Sequence, residues 1–162
     1  VFNLIGPLLN PAKAQHLMIG VADLAYLNRM ADVLLKLGIT RALVFHCAGL
    51  DEICTVGPIH LIEINQSNIQ QYMFDPLDYG FQRCNIQDLQ GGSAQKNAEV
   101  IQSSLSGHPG AVSDTLILNA GLANYIYGIS DTKAAGIALA KKMHATGAAN
   151  HLLQNIKEAH HA

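Results

Sequence analysis

A short apolar run, a stretch with helical periodicity and a second apolar run follow one another early in the chain. This succession restricts the fold more than any other feature. Residues 16–21, bounded by turn formers, suit a buried strand. Asp23 stands where a helix N-cap would, and Leu24, Leu27, Ala31, Leu34 and Leu35 recur at helical spacing until Gly38 closes the segment. Residues 42–46, Ala-Leu-Val-Phe-His, form a second buried strand. Strand, amphipathic helix and strand over roughly thirty residues make a βαβ unit, which predicts two parallel strands joined by a right-handed crossover.

Downstream, residues 59–64 and 69–74 flank the turn-rich Asn65-Gln66-Ser67-Asn68 and read as a β-hairpin. Residues 75–92 hold Pro76, Gly80, Gly91 and Gly92 and read as mostly loop. Helical patterns follow over 93–106, after Pro109 as far as Gly128, from Ser130 or Asp131 to Gly147, and over 148–159. No repeat, low-complexity tract or linker interrupts them. The expectation is an α/β fold over residues 1–162 with no separate second domain. Its elements are a mostly parallel central sheet, one βαβ unit, one β-hairpin and a carboxy-terminal run of helices.

Composition narrows the function classes. Of 162 residues 49% are apolar and 14% charged, which supports a buried core and excludes a disordered chain. Ten Lys and Arg against twelve Asp and Glu, net charge −2, leave no basic footprint for nucleic acid or an anionic membrane. No apolar run approaches the roughly 18–20 residues that span a bilayer. A soluble domain usually carries about 25% charged residues, so part of this surface is expected to be covered by something else. Three cysteines, Cys47, Cys54 and Cys84, are an odd number without dense spacing. They point to free thiols in a reducing, cytoplasmic compartment. The opening residues carry neither an initiator Met nor the basic flank of a signal peptide, and they read like the middle of a longer protein.

Chemistry concentrates after the second strand, in His46-Cys47-Ala48-Gly49-Leu50-Asp51-Glu52. Ligands of parallel α/β sheets bind beyond the carboxyl ends of the strands, and this loop leaves such an end. Adjacent carboxylates on a loop can turn toward one ion, and Mg²⁺ takes one or two of them beside water and phosphate oxygens. From the residues alone the same pair reads first as a solvated acidic loop, as most exposed acidic pairs do. His46, Cys47, Cys54 and His60 match no tetrahedral zinc spacing and read as buried thiols and a strand-end histidine. Gly91-Gly92-Ser93 opens a helix whose free N–H groups can hold a phosphate, or is simply a glycine loop with a serine cap. Met143, His144, His151, His160 and His161 read as solvated helix positions. No Gly-x-Gly-x-x-Gly follows the first strand, and no P-loop, nucleophile elbow or catalytic cysteine context is present, so no catalytic nucleophile is expected.

Five blocks carry a resemblance. They are Phe2-Asn3-Leu4-Ile5-Gly6-Pro7-Leu8-Leu9-Asn10-Pro11-Ala12; Val44-Phe45-His46-Cys47-Ala48-Gly49-Leu50-Asp51-Glu52; Asp75-Pro76-Leu77-Asp78-Tyr79-Gly80; Asp88-Leu89-Gln90-Gly91-Gly92 with Asn97-Ala98; and Leu118-Asn119-Ala120. In this order the chain resembles the anthranilate phosphoribosyltransferases of tryptophan biosynthesis. The resemblance implies transfer of a phosphoribosyl group from phosphoribosyl pyrophosphate to anthranilate, with release of pyrophosphate, by a Mg²⁺-dependent homodimer. It places Asp51 and Glu52 at the metal-binding acidic pair and Gly6 and Pro7 at the anthranilate pocket.

The resemblance also implies that this is the carboxy-terminal part of the family's α/β domain. The glycine-rich pyrophosphate loop, the phosphate-binding Lys and Ser, an anthranilate-binding Arg and the helical dimerisation domain all lie upstream of the match. The fragment alone is therefore expected to be inactive. Ser93 and Cys47 depart from the family pattern, which more often has Asp and a small Gly or Ser at those positions. Two rival readings are a nucleoside phosphorylase of the same superfamily and a non-catalytic α/β module that associates with another chain.

Overall fold

The computed structural model describes residues 6–9, 14–66 and 68–161. Four strands form one sheet in the order β1 (His16–Gly20), β2 (Arg41–His46), β3 (Ile59–Asn65) and β4 (Asn68–Phe74). Between β1 and β2 runs helix α1 (Leu27–Lys36), preceded by a 3-10 turn, Leu24–Tyr26, that Asp23 caps by accepting the Ala25 N–H. Past the sheet come α2 (Ala94–Leu105), α3 (Ala111–Tyr127), α4 (Lys133–Ala145) and α5 (Ala148–His161).

The βαβ expectation holds: β1 and β2 are parallel, with His16 opposite Arg41 and Gly20 opposite Phe45. The α/β class stands, but the expected mostly parallel sheet is corrected. Both β2–β3 and β3–β4 are antiparallel, so the described sheet is mixed. The reason lies between β2 and β3. That connection contains no helix, and a parallel return needs a crossover that a loop of this kind does not provide. The hairpin pairs Asn65 with Asn68 across its turn, as its tetrad predicts. The segment read as loop, 75–92, carries two 3-10 turns, Pro76–Tyr79 and Ile86–Leu89. Asp75 caps the first through the Leu77 N–H at 2.9 Å.

Two-residue alternation divides the sheet between two cores. Ala42, Val44, Ile62 and Ile64 face α1, where Leu27, Met30, Ala31 and Leu34 close the layer. Leu43, Phe45, Ile59 and Leu61 face the other way, onto Ile117, Leu118, Leu122 and Ile126 of α3 and Ile137 of α4. Helices α3 and α4 approach closely because each places a glycine at the contact. A Cβ on Gly136 would lie 2.2 Å from the Gly121 carbonyl oxygen.

That second core contains one carboxylate. Glu63, 6% exposed, accepts hydrogen bonds from Tyr72 of β4 at 2.6 Å, from Lys133 of α4 at 2.7 Å and from Tyr125 of α3. Burial works against its ionisation, but these three donors outweigh it and hold the Glu63 carboxyl below the usual glutamate range. The group thereby ties sheet, α3 and α4 together at one point.

Candidate functional site

Strand β2 ends in His46, and the chain then reverses over Cys47–Leu50. The Leu50 N–H donates to the Cys47 carbonyl at 2.8 Å, and the Cys47 N–H to the Leu50 carbonyl at 3.1 Å. Ala48 and Gly49 sit at φ +49° and +85°. Two successive positive φ values are the signature of a type I′ turn, which explains the glycine and strains the alanine. His46, 9% exposed, holds the turn from beneath. Its Nδ1 donates to the Val21 carbonyl at 2.8 Å, and its Nε2 accepts the Gly49 N–H at 3.3 Å. One imidazole thus joins the end of β1 to the turn after β2, and both ring nitrogens are engaged in doing so.

Past the turn, Asp51 and Glu52 emerge exposed and border a single open cavity of about 410 Å³. Met18, Gly20, Phe45, Asn119, Ala120 and Ala123 form its other walls. Two residues fix the loop there. At Gly20 the Asp51 backbone lies so close that a Cβ would sit 1.7 Å from the Asp51 carbonyl oxygen. From α3, Asn119 donates through Nδ2 to the Ile53 carbonyl at 2.8 Å and to its own helix at Thr115, also 2.8 Å. The acidic pair is therefore backed by β1 on one side and α3 on the other.

Electrostatically the pair is unbalanced. Among the described residues no ion pair includes either carboxylate, whereas Glu63 and Asp75 each have a cationic partner. Partial desolvation, then the like charge of Asp51, push the Glu52 carboxyl above the ordinary glutamate range. A divalent cation would relieve both effects. Among the described residues no cluster of three His, Cys, Asp or Glu side chains surrounds the site. Two hard oxygen donors facing open space fit Mg²⁺, whose remaining positions go to water and phosphate.

The other candidates separate cleanly. Cys47 and Cys54 are fully buried and His46 lies at the strand end, as the sequence reading has them. Ser93 is a helix cap: its hydroxyl accepts the Lys96 N–H at 3.2 Å. The Gly92 N–H is taken by Asn97 Oδ1 at 2.7 Å, leaving that amide unavailable to a phosphate. Gly6 lies exposed in a 3-10 turn, Gly6–Leu9, and is not among the described residues lining the acidic cavity. The side chains of Pro7, His160 and His161 lie outside the described residues. Sequence reasoning did not assign Gly20 or Asn119 to the site. A glycine inside an otherwise apolar strand was a signal for the first; the second stood in the Leu118-Asn119-Ala120 block of the resemblance, but its bond to the Ile53 carbonyl appears only in the fold.

Fold and cleft together define an α/β protein whose acidic cavity opens beyond the carboxyl ends of its two parallel strands, the usual ligand position of such sheets. The chain belongs to the glycosyl transferase family: the family model described as "Glycosyl transferase family, a/b domain" matches residues 1–150. It is 42% identical over 155 residues to the anthranilate phosphoribosyltransferase of Methanocorpusculum labreanum, covering 96% of this chain and 46% of that protein. Against the Nitrosomonas europaea enzyme of the same name, identity is 38% over 159 residues, 98% of this chain and 47% of the relative. The crystal structure of anthranilate phosphoribosyltransferase from Thermus thermophilus superposes with a TM-score of 0.85 at 35% identity, over 95% of this chain and 46% of that one. The Saccharomyces cerevisiae enzyme in complex with PRPP and Mg shares the fold at a TM-score of 0.79 and 21% identity, over 94% of this chain and 45% of that one. The chain spans about half the length of the relatives it matches.

Proposed function

We propose that this chain carries the Mg²⁺-binding part of an anthranilate phosphoribosyltransferase. The reaction moves a phosphoribosyl group from phosphoribosyl pyrophosphate to the amine of anthranilate and releases pyrophosphate. The observation that carries the reading is the Asp51–Glu52 pair, in no ion pair among the described residues, facing an open cavity from a loop fixed at the ends of β1 and β2. The glycosyl transferase match and the relatives named above support it.

Cleaving the ribose C1–oxygen bond leaves cationic character on the sugar and negative charge on the departing diphosphate. A bound Mg²⁺ supplies Lewis-acid stabilisation of that diphosphate. The chain's own part is positioning. Asp51 and Glu52 would hold the ion by carboxylate oxygens. His46 and Asn119 keep the loop from relaxing as charge develops, so little reorganisation accompanies the reaction. No covalent nucleophile is required of this chain. In the same reading Gly6 and Pro7 line the anthranilate pocket, the complete enzyme is a cytoplasmic homodimer, and no nucleic acid or membrane takes part. Among the described residues no helix is long and apolar enough to cross a membrane.

The test is pyrophosphate release with anthranilate, phosphoribosyl pyrophosphate and Mg²⁺. The sequence completed to its relatives' length is expected to turn over, and the 162-residue chain alone to show none. If the completed protein instead cleaves a nucleoside with inorganic phosphate and ignores anthranilate, the phosphorylase reading replaces this one.

A further inference from the structure

Cys47 and Cys54 stand at the entrance and exit of the loop that carries Asp51 and Glu52. Neither has any exposed surface. Their sulfurs lie 3.4 Å apart, the Cys54 thiol donating to Cys47. A disulfide brings two sulfurs to about 2.05 Å, so closing this pair asks for an approach of a little over 1 Å. No part of the proposed transfer chemistry uses either of them. Cys84 is different: it is half-buried, and among the described residues no sulfur–sulfur hydrogen bond joins it to the pair.

We propose that Cys47 and Cys54 are a dithiol modification site that a hydroperoxide closes to an intramolecular disulfide, stapling the acidic loop at both ends. One sulfur, as thiolate, attacks the peroxide. The O–O bond breaks, the displaced oxygen leaves with the thiol proton, and a sulfenic acid remains. The second sulfur attacks this S–OH, the S–O bond breaks, and hydroxide departs with the second thiol proton as water. With hydrogen peroxide, two thiols and one oxidant give one disulfide and two waters, and the two electrons move from sulfur to peroxide oxygen. Because both thiols are buried, the oxidant must be small and must act when the loop opens. Once closed, the bond confines the backbone between residues 47 and 54, including both carboxylates, to a small ring.

Trypsin separates the outcomes. Cys47 and Cys54 fall in one peptide, residues 42–83, and Cys84 opens the next, residues 84–96. The native chain is alkylated with iodoacetamide to cap Cys84 and treated with hydrogen peroxide. It is then denatured, labelled with N-ethylmaleimide and digested. The expected peptide 42–83 is lighter than its dithiol form by two hydrogens and takes no maleimide; after dithiothreitol it takes two. Two maleimides after peroxide, or a sulfinic acid on either residue, would each overturn the proposal. Cys84→Ser is expected to keep the bond, and Cys47→Ser or Cys54→Ser to abolish it. These last two substitutions sit in the core and can impair folding, so the wild-type peptide mass decides. None of these readouts uses catalysis, and a failure here leaves the phosphoribosyl reading untouched.

Discussion

Glu63 and the Asp51–Glu52 pair are both acidic and both attached to the central sheet, yet the molecule treats them in opposite ways. Glu63 lies inside, with a lysine and two tyrosines donating to it, and its ionised form is favoured. Asp51 and Glu52 lie at an open rim without a described cationic partner, and the ionised form of Glu52 is disfavoured. The first arrangement holds the fold together. The second leaves negative charge for something else to neutralise, and neighbouring residues fix the backbone there while leaving the carboxylates free. A carboxylate surrounded by donors serves the fold; one held on a braced loop with its charge facing an open cavity is what the proposed Mg²⁺ site requires.

The contrast is most strongly broken from the inside. Glu63→Leu strands Lys133 and two tyrosine hydroxyls in a poorly solvated place, and is expected to cost about 3–5 kcal/mol in denaturant unfolding. The outside pair should behave in reverse. Asp51→Asn with Glu52→Gln in the completed enzyme is expected to lower kcat/KM on the order of 100-fold, about 2.7 kcal/mol, at limiting Mg²⁺. The melting temperature is expected to hold or rise. Unchanged turnover would remove the pair from the mechanism.

Moving the loop without touching its charges comes next. Gly20→Ala places a methyl against the Asp51 carbonyl, and is expected to cost about 1–3 kcal/mol and to weaken Mg²⁺ binding by calorimetry. A normal Mg²⁺ titration in that variant would show that the close approach is not what sets the site.

The smallest effect separates the two regions by pH. Glu63's carboxyl is depressed by folding, so its stabilisation is present above the unfolded value of about 4.3 and is lost as pH falls through the lower folded value. Glu52's carboxyl is raised, so its contribution runs the other way: folding is favoured below the unfolded value and loses that advantage as pH rises through the folded one. Glu52→Gln is therefore expected to raise stability slightly at pH 7, and Glu63→Gln to flatten the acid limb of the stability curve. Thermal melts across pH 3–7, with and without Mg²⁺, check both.

Much of this organisation was legible in the chain. The spacing of Leu27, Ala31 and Leu34 and the glycine at 38 marked α1, and the apolar runs on either side marked β1 and β2. The acidic loop was found because a βαβ unit dictates where its second strand ends. The direction of β3 was missed, since an apolar run looks the same whichever way it pairs. Gly20 fell inside the strand read over residues 16–21 without a sign of what it contacts, and Asn119 entered only through the Leu118-Asn119-Ala120 block of the resemblance.

What the sequence determined by itself was therefore local: period, punctuation and the residue types placed on each loop. These are legible because helix and strand impose different spacings on apolar side chains, and because turns demand particular backbone angles. The tertiary structure decided which distant residues meet. It set Gly20 beneath Asp51, Asn119 against the Ile53 carbonyl, and Glu63 between Tyr72, Tyr125 and Lys133. The same assembly surrounds Glu63 with donors and sets Asp51 and Glu52 at an open rim, without a cationic partner among the described residues. Such pairings depend on packing across tens of residues, which no spacing along the chain encodes.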